Sequence, residues 1–246
     1  MEAIVLAGGL GTRLASRLHG LPKPMAPVAG RPFLEILLTQ LRRSGCTRVL
    51  LSVGRGHSVI QDYFGASFNG MPLDYVVESV PLGTGGAIRL AMAQATEDAV
   101  LAMNGDTFRQ IDYAGMMRFH RTQGAAATMA VVHQPDIARY GGVVVEQEHV
   151  VAFVEKGRPG PDHSATGHSG PGHSGPGWIN AGAYVFSRNL DWPANLGEKF
   201  SIEIDFFMHE VARLRPAAYE MQGYFLDIGI PEDLDRAQTE LAQFLP

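Results

Sequence analysis

An apolar run, Ala3-Ile4-Val5-Leu6, passes without a break into a loop with glycines at positions 8, 9 and 11. A run that is apolar at every residue reads as a strand buried on both faces, the habit of parallel sheets. The loop leaving such a strand lies at the carboxyl edge of the sheet, where open α/β sheets bind ligands. Glycines let backbone N–H groups close on an anion. Arg13 and Lys23 bring two cations to the same neighbourhood, so the loop suits a polyphosphate. Its form sets it apart from two common phosphate loops. It ends Gly-Thr-Arg rather than Gly-Lys-Ser/Thr, and its glycines do not make G-x-G-x-x-G.

The rest of the chain alternates. Leu34, Leu37, Leu38 and Leu41 recur at helical spacing and Gly45 stops that helix. Strands are predicted over 48–53, 73–77, 99–103 and 128–132, and helices over 59–64, 84–95 and 113–122. That rhythm predicts an α/β fold with a mainly parallel sheet and helices on both faces. Further on, 143–145 and 150–154 read as a hairpin around Gln147-Glu148-His149. A strand is predicted over 179–186, and helices over 204–214 and 233–245. No linker divides the chain, so 1–246 reads as a single domain with halves 1–135 and 136–246. His168-Ser-Gly-Pro-Gly172 repeats as His173-Ser-Gly-Pro-Gly177, with a looser copy from His163. Glycine and proline at this density cannot bury a core, which predicts a flexible surface loop over 157–177.

The bulk numbers set limits. Among the 246 residues 46% are hydrophobic, enough for a sizeable core. The net charge of −5 does not suit a nucleic-acid surface, so a phosphate ligand must be met by local cations. The single cysteine, Cys46, permits no internal disulfide and reads as packed. No apolar run reaches membrane-spanning length and the N-terminus enters a strand directly, so a cytoplasmic protein is expected.

Seven segments in order carry a resemblance. They are Leu6-Ala-Gly-Gly-Leu-Gly-Thr-Arg-Leu14 with Lys23-Pro24, Leu82-Gly-Thr-Gly-Gly-Ala87, Asn104-Gly-Asp106, Tyr140-Gly141, Glu155-Lys156, Asn180-Ala-Gly182 and Asp227-Ile-Gly229. Together they resemble the sugar-1-phosphate nucleotidyltransferases over nearly the whole chain. The resemblance implies a three-layer Rossmann-like fold of the nucleotide-diphospho-sugar transferase type. Residues 1–135 would then mainly bind nucleotide and 136–246 mainly sugar phosphate.

It also implies roles for residues. Leu6, Gly8, Gly9, Gly11, Thr12, Arg13 and Lys23 would meet the nucleotide, with Glu78, Gly83, Thr84 and Asp106. Gly105, Gly141, Glu155, Lys156 and Asn180 would meet the sugar phosphate. Asp106 and Asp227 would share one Mg²⁺, and with Arg13 and Lys23 they form the catalytic set. Two carboxylates about 4 Å apart repel by ~4 kcal/mol at an effective dielectric of about 20. A shared hard cation relieves that repulsion. Pro22 and Pro24 are expected to hold the backbone around Lys23 extended. Thr84 also reads as a helix N-cap.

Glu78 bears on the base. Members that transfer uridylyl or thymidylyl groups commonly carry glutamine at the comparable position. Guanine presents two adjacent donors that a carboxylate can accept, whereas the carbonyls of uracil and thymine repel it. Glu78 thus favours GTP. Within the family the compact length and the Leu82–Ala87 run look most like the heptose 1-phosphate guanylyltransferase branch, which serves surface polysaccharide synthesis. A uridylyl- or thymidylyltransferase, a mannose-1-phosphate guanylyltransferase and a non-catalytic nucleotide-sugar sensor are the alternatives. No nucleophile is partnered with a His, which fits direct transfer. The expected partners are an NTP and a sugar 1-phosphate, with no nucleic acid or membrane. The residues do not fix whether copies form a homo-oligomer.

Overall fold

Side chains alternate across β1 (Glu2–Leu6): Ala3 and Val5 enter one core and Ile4 the other, all fully buried. A strand covered on both faces requires helices above and below. A computed structural model describes residues 1–9, 11, 14–18, 20–154 and 175–244 of the chain.

After β1 the first half contains α1 (Ala15–Leu18), a 3₁₀ turn (Lys23–Met25), β2 (Pro27–Val28), β3 (Arg31–Pro32), α2 (Phe33–Arg43) and β4 (Arg48–Val53). It continues through α3 (His57–Phe64), β5 (Ser67–Phe68), β6 (Met71–Val77), α4 (Gly83–Met92), β7 (Ala99–Asn104), β8 (Thr107–Arg109), α5 (Tyr113–Gln123) and β9 (Ala127–Gln134). The second half adds β10 (Gly142–Glu146), β11 (His149–Val154), β12 (Gly177–Ser187), a π-helical turn (Ile202–Phe207), α6 (Met208–Leu214), β13 (Ala217–Met221), β14 (Phe225–Asp227) and α7 (Pro231–Glu240).

Both halves contribute to one ten-stranded sheet of order β10-β11-β13-β9-β12-β7-β1-β4-β6-β5. The segment β6-β4-β1-β7 is parallel throughout. The helices α2 and α3, which lead away from β1 toward β4 and β6, pack in one core, whereas α4, which leads back to β7, packs in the other. The strand order therefore reverses between β1 and β7, and a crevice opens at their carboxyl ends. The sheet as a whole is mixed, because β12 runs antiparallel to both β7 and β9.

Local signals explain several boundaries. Asp112 caps α5 by accepting the Gly115 N–H at 2.8 Å, and Gly124 ends that helix with φ of 57°. Gly45, with φ of 80°, follows α2. The hairpin between β10 and β11 turns on Gln147 and Glu148 alone, both at positive φ, and His149 already belongs to β11. A two-residue left-handed turn matches the twist of the flanking strands. The helix predicted over 204–214 begins instead as the π turn at Ile202. The last predicted helix ends at Glu240, with a 3₁₀ turn at Ala242–Phe244 beyond it. Of the loop expected over 157–177, residues 157–174 lie outside the described residues, and Gly177 opens β12. No described helix is long and apolar enough to cross a membrane.

The edge opposite the crevice is held by Glu2, which is buried. Its carboxylate accepts from Arg48 Nη1 at 2.7 Å, from the Thr96 and Glu97 N–H groups at 2.7 and 2.9 Å, and from the Thr96 hydroxyl at 2.9 Å. Burial alone would raise its pKa, but these donors outweigh it and pull the group from 4.5 down to about 2. A depressed carboxylate stabilises the fold above its unfolded pKa and loses that contribution as pH falls through the folded value. Glu2→Gln should therefore cost roughly 3 kcal/mol at pH 7. In urea unfolding the gap to wild type should stay full above about pH 4.5 and close as pH approaches about 2.

Candidate active site

β7 and β1 are in register from Glu2↔Val100 to Leu6↔Asn104, so the loops that follow them start side by side. The Gly105 N–H bonds the Leu6 carbonyl at 3.0 Å, and a Cβ on Gly105 would stand 2.5 Å from that same oxygen. Asp106 comes next. Its chain then turns into β8, which pairs antiparallel with β14 so that Thr107 faces Asp227. The Ile228 N–H closes the joint on the Asp106 carbonyl at 3.0 Å. Two aspartates far apart in sequence are thus adjacent because one short two-stranded ribbon carries both.

Lys23 stands between them. Its ammonium lies 2.6 Å from Asp106 Oδ2 and 3.8 Å from Asp227 Oδ1. Pro22 is extended, as expected, but Lys23 opens the 3₁₀ turn with Pro24 at its second position. This corrects the extended backbone predicted there. The missing N–H of proline costs nothing in a first turn, where it would have no partner. The turn buries the lysine stem, leaving Lys23 8% exposed, and aims the amine into the crevice.

Burial raises the pKa of Asp227, the Asp106 charge raises it further, and Lys23 and Arg139 pull it back. Asp227 Oδ1 is also buried without a hydrogen-bond partner. A carboxylate oxygen without a hydrogen bond beside a second carboxylate is a donor set that a hard cation completes. Among the described residues no group of three or more His, Cys, Asp or Glu is arranged to hold a metal. Two carboxylates fit Mg²⁺, which keeps waters and substrate phosphates as its other ligands.

Glu78, just past β6, reaches over the end of β4 to the glycine loop. Its Oε1 accepts the Ser52 hydroxyl at 3.2 Å and its Oε2 the Leu82 N–H at 2.9 Å. A Cβ on Gly8 would lie 3.1 Å from Oε1. Each carboxylate oxygen retains a second lone-pair direction, so the fixed group can still accept from a ligand. Leu6 ends β1, Gly8 lies beside Glu78, Gly9 has open space where a Cβ would stand, and a Cβ on Gly11 would lie 3.1 Å from the Lys23 Cβ. Thr12 and Arg13 lie outside the described residues.

Gly83 and Thr84 open α4, but the glycines after them serve packing. Segment 198–202 lies directly on this helix end. The Phe200 carbonyl accepts the Gly85 and Gly86 N–H groups at 2.9 and 3.3 Å, and a Cβ on Gly85 would stand 2.2 Å from the Phe200 ring. Thr84 is not an N-cap; its hydroxyl accepts the Ile202 N–H at 3.0 Å.

The second half of the crevice is a cleft of about 610 Å³ running from Lys23, Asp106 and Asp227 to Gly141, Asn180 and Glu203. Val143, Phe153, Phe225 and Met208 form apolar parts of its wall. Asn180 accepts the Gly182 N–H at 2.8 Å and donates to the Tyr184 hydroxyl at 2.7 Å and Glu203 Oε1 at 2.8 Å. The amide thus closes a turn and orients a carboxylate that the sequence reading missed. Ser201 gives the only local hint, since it caps the turn carrying Glu203 by accepting the Ile204 N–H. Arg139, also missed, bonds the buried Asp233 and lies over the Tyr140 ring. Glu155 and Lys156 lie outside the described residues.

A mixed sheet whose strand order reverses between the parallel β1 and β7, with paired aspartates and a lysine at that point, fits the class of nucleotide-binding transferases. The family model described as nucleotidyl transferase matches residues 2–243, and the chain belongs to that family as a sugar-1-phosphate nucleotidyltransferase. It is 39% identical over 245 residues to the D-glycero-α-D-manno-heptose 1-phosphate guanylyltransferase of Aneurinibacillus thermoaerophilus, covering all of both chains. The Campylobacter jejuni enzyme of the same name is 37% identical, with 95% of this chain and 96% of that one covered. The crystal structure of HddC from Yersinia pseudotuberculosis complexed with GMP-PN is 33% identical, with a TM-score of 0.78 over 96% of this chain and 97% of that one.

Asp227→Asn removes a charge that burial and Asp106 both disfavour. It should leave the thermal midpoint unchanged or raised while lowering turnover, read as pyrophosphate release, by at least about 100-fold. A lowered midpoint would make Asp227 a structural group.

Proposed function

We propose that the chain transfers GMP from GTP to D-glycero-α-D-manno-heptose 1-phosphate, releasing pyrophosphate. The observation that carries this reading is the joint of Lys23, Asp106 and Asp227 at one end of a single cleft. Full-length similarity to two guanylyltransferases for that sugar phosphate supports the choice of substrates.

The sugar-phosphate oxygen attacks the α-phosphorus in line. A new P–O bond forms, the bond to the β-phosphate oxygen breaks, and pyrophosphate leaves with the electron pair. The attacking oxygen is already ionised, so no general base is required. Positioning and charge do the work. A divalent ion, which we assign as Mg²⁺ on Asp106 and Asp227, would neutralise phosphate charge when bound. Lys23 supplies a buried, fixed cation where charge builds on the departing group, and Arg13 adds a second from the glycine loop. Glu78 accepts the two donors of guanine. Glu203, held by Asn180 and Tyr184, accepts sugar hydroxyls, and Glu155-Lys156 meets the sugar and its phosphate.

The test is a matrix of GTP, ATP, UTP and dTTP against heptose-, mannose- and glucose-1-phosphate with Mg²⁺, followed by pyrophosphate release. GTP with the heptose 1-phosphate should give the highest kcat/KM. A preference for UTP or dTTP would overturn the base assignment, and no release with any pair would favour a sensor. Glu78→Gln should lower kcat/KM for GTP about 10-fold or more, the loss expected for one hydrogen bond to a charged group of about 1.5–3 kcal/mol. An unchanged nucleotide preference would remove Glu78 from base recognition.

A further inference from the structure

Arg109, on β8, is the largest fully buried side chain among the described residues, with 0% exposure. A guanidinium does not shed its proton in a protein, so a full positive charge is buried. Among the described residues no carboxylate lies within ion-pair distance of it. Backbone carbonyls take that place. Nε donates to the Ala181 carbonyl, Nη2 to that of Gly182 at 2.7 Å, and Nη1 to those of Thr107 at 2.9 Å and Asn104 at 3.5 Å.

These four acceptors fall into two pairs. Asn104 and Thr107 flank the turn that carries Asp106. Ala181 and Gly182 follow Asn180. One planar fork therefore grips both turns, and both line the same cleft. Arg109 itself does not line the cleft; it sits behind both turns. Burying a charge merely to join two strands is a poor bargain, because well-packed apolar side chains usually do as well or better. What the fork adds is a fixed separation and angle, since its donors have rigid geometry.

The joint is also packed to contact. Gly182 has φ of 67°, and a Cβ there would stand 2.5 Å from Asn104 Nδ2 and 2.8 Å from Arg109 Nη2. No other residue lets the two turns come this close. The network just beyond feels the same charge: burial and Glu203 push the Tyr184 phenol up, while Asn180 and Arg109 pull it back.

We propose that Arg109 is a positioning residue that sets the sugar-side turn, Asn180 to Gly182, against the metal-side turn, Asn104 to Thr107, and so aligns the sugar 1-phosphate for attack. This rests on the reading given under Proposed function. Among the described residues the glycine loop, Lys23 and Glu78 do not touch the fork, so the part of GTP binding that does not pass through the metal on Asp106 should be spared.

The experiment compares full-length wild type, Arg109→Met and Arg109→Lys. It measures the thermal midpoint, GTP affinity by calorimetry without added metal, and steady-state constants for both substrates with Mg²⁺. Arg109→Met should leave the Kd for GTP within about twofold and lower kcat/KM for the sugar 1-phosphate about 100-fold. Arg109→Lys keeps the charge without the fork and should recover the midpoint but not the sugar kcat/KM. Gly182→Ala presses on the same joint with Arg109 in place and should raise the sugar KM about 10-fold at unchanged GTP affinity; it decides the matter should the Met variant not fold. Full rescue by Lys would overturn the proposal, as would sugar and GTP constants falling together, or none of them moving. The wild-type arm separates this from failure of the substrate assignment, because the comparison can be made with whichever nucleotide and sugar 1-phosphate the wild type converts.

Discussion

The parallel pairing of β1 with β7 is the constraint on which the rest of the site depends. These strands are neighbours in the sheet, yet their crossover helices lie on opposite faces. No helix can then cover the gap between their carboxyl ends, and the two loops that leave there face each other across it. Apolar residues facing both layers hold the pair in place. Ala3 and Val5 oppose the layer of α2 and α5, and Ile4 with Val100 and Ala102 opposes α4 and the π turn. Because the pairing ends at Leu6 and Asn104, the glycine loop and the Gly105-Asp106 turn emerge at the same level.

Three charges meet at that level, and their balance is the chemistry of the site. Two half-buried carboxylates would repel each other, and the Lys23 ammonium offsets this in the ligand-free protein. The raised pKa of Asp227 records that the compensation is incomplete, with burial the larger cause. A site held in this condition takes up further positive charge readily and orients negative groups around it. The fold supports the arrangement at some cost to stability, as the buried Asp227 oxygen without a hydrogen bond indicates.

The second half of the chain supplies the other wall by a different device. Its strands are largely antiparallel, and β12 joins them to β7. Segment 198–203 runs from the end of α4 to Glu203, so one strap touches both the nucleotide-side loop and the sugar-side network. Its π-helical turn explains why periodicity failed there. A turn wider than 3.6 residues moves Ile202, Phe206 and Phe207 inward at spacings that a helical template does not match. The strand β13 was illegible for another reason. Ala217, Ala218 and Glu220 are poor strand formers, and the segment is extended because β9 offers a parallel partner with the register Ala217↔Thr128 to Met221↔Val132.

By itself the sequence determined the buried strands of the first half, the glycine stop after α2, and the residue types able to handle phosphate and metal. These are properties of short windows: apolar runs, glycine at positive φ, and cations beside a loop. It also carried the family resemblance, because those motifs keep their order along the chain. Only the tertiary structure decided that Lys23 contacts both aspartates, that Gly85 and Gly86 receive Phe200, that Asn180 orients Glu203, and that a buried Arg109 joins two turns. Each of these is a contact between residues distant in the chain, with partners selected by strand order and register. No local pattern encodes which strand ends will lie side by side. That is set by the burial of two whole sheet faces at once, so the residues that position the chemistry become visible only when the chain is folded.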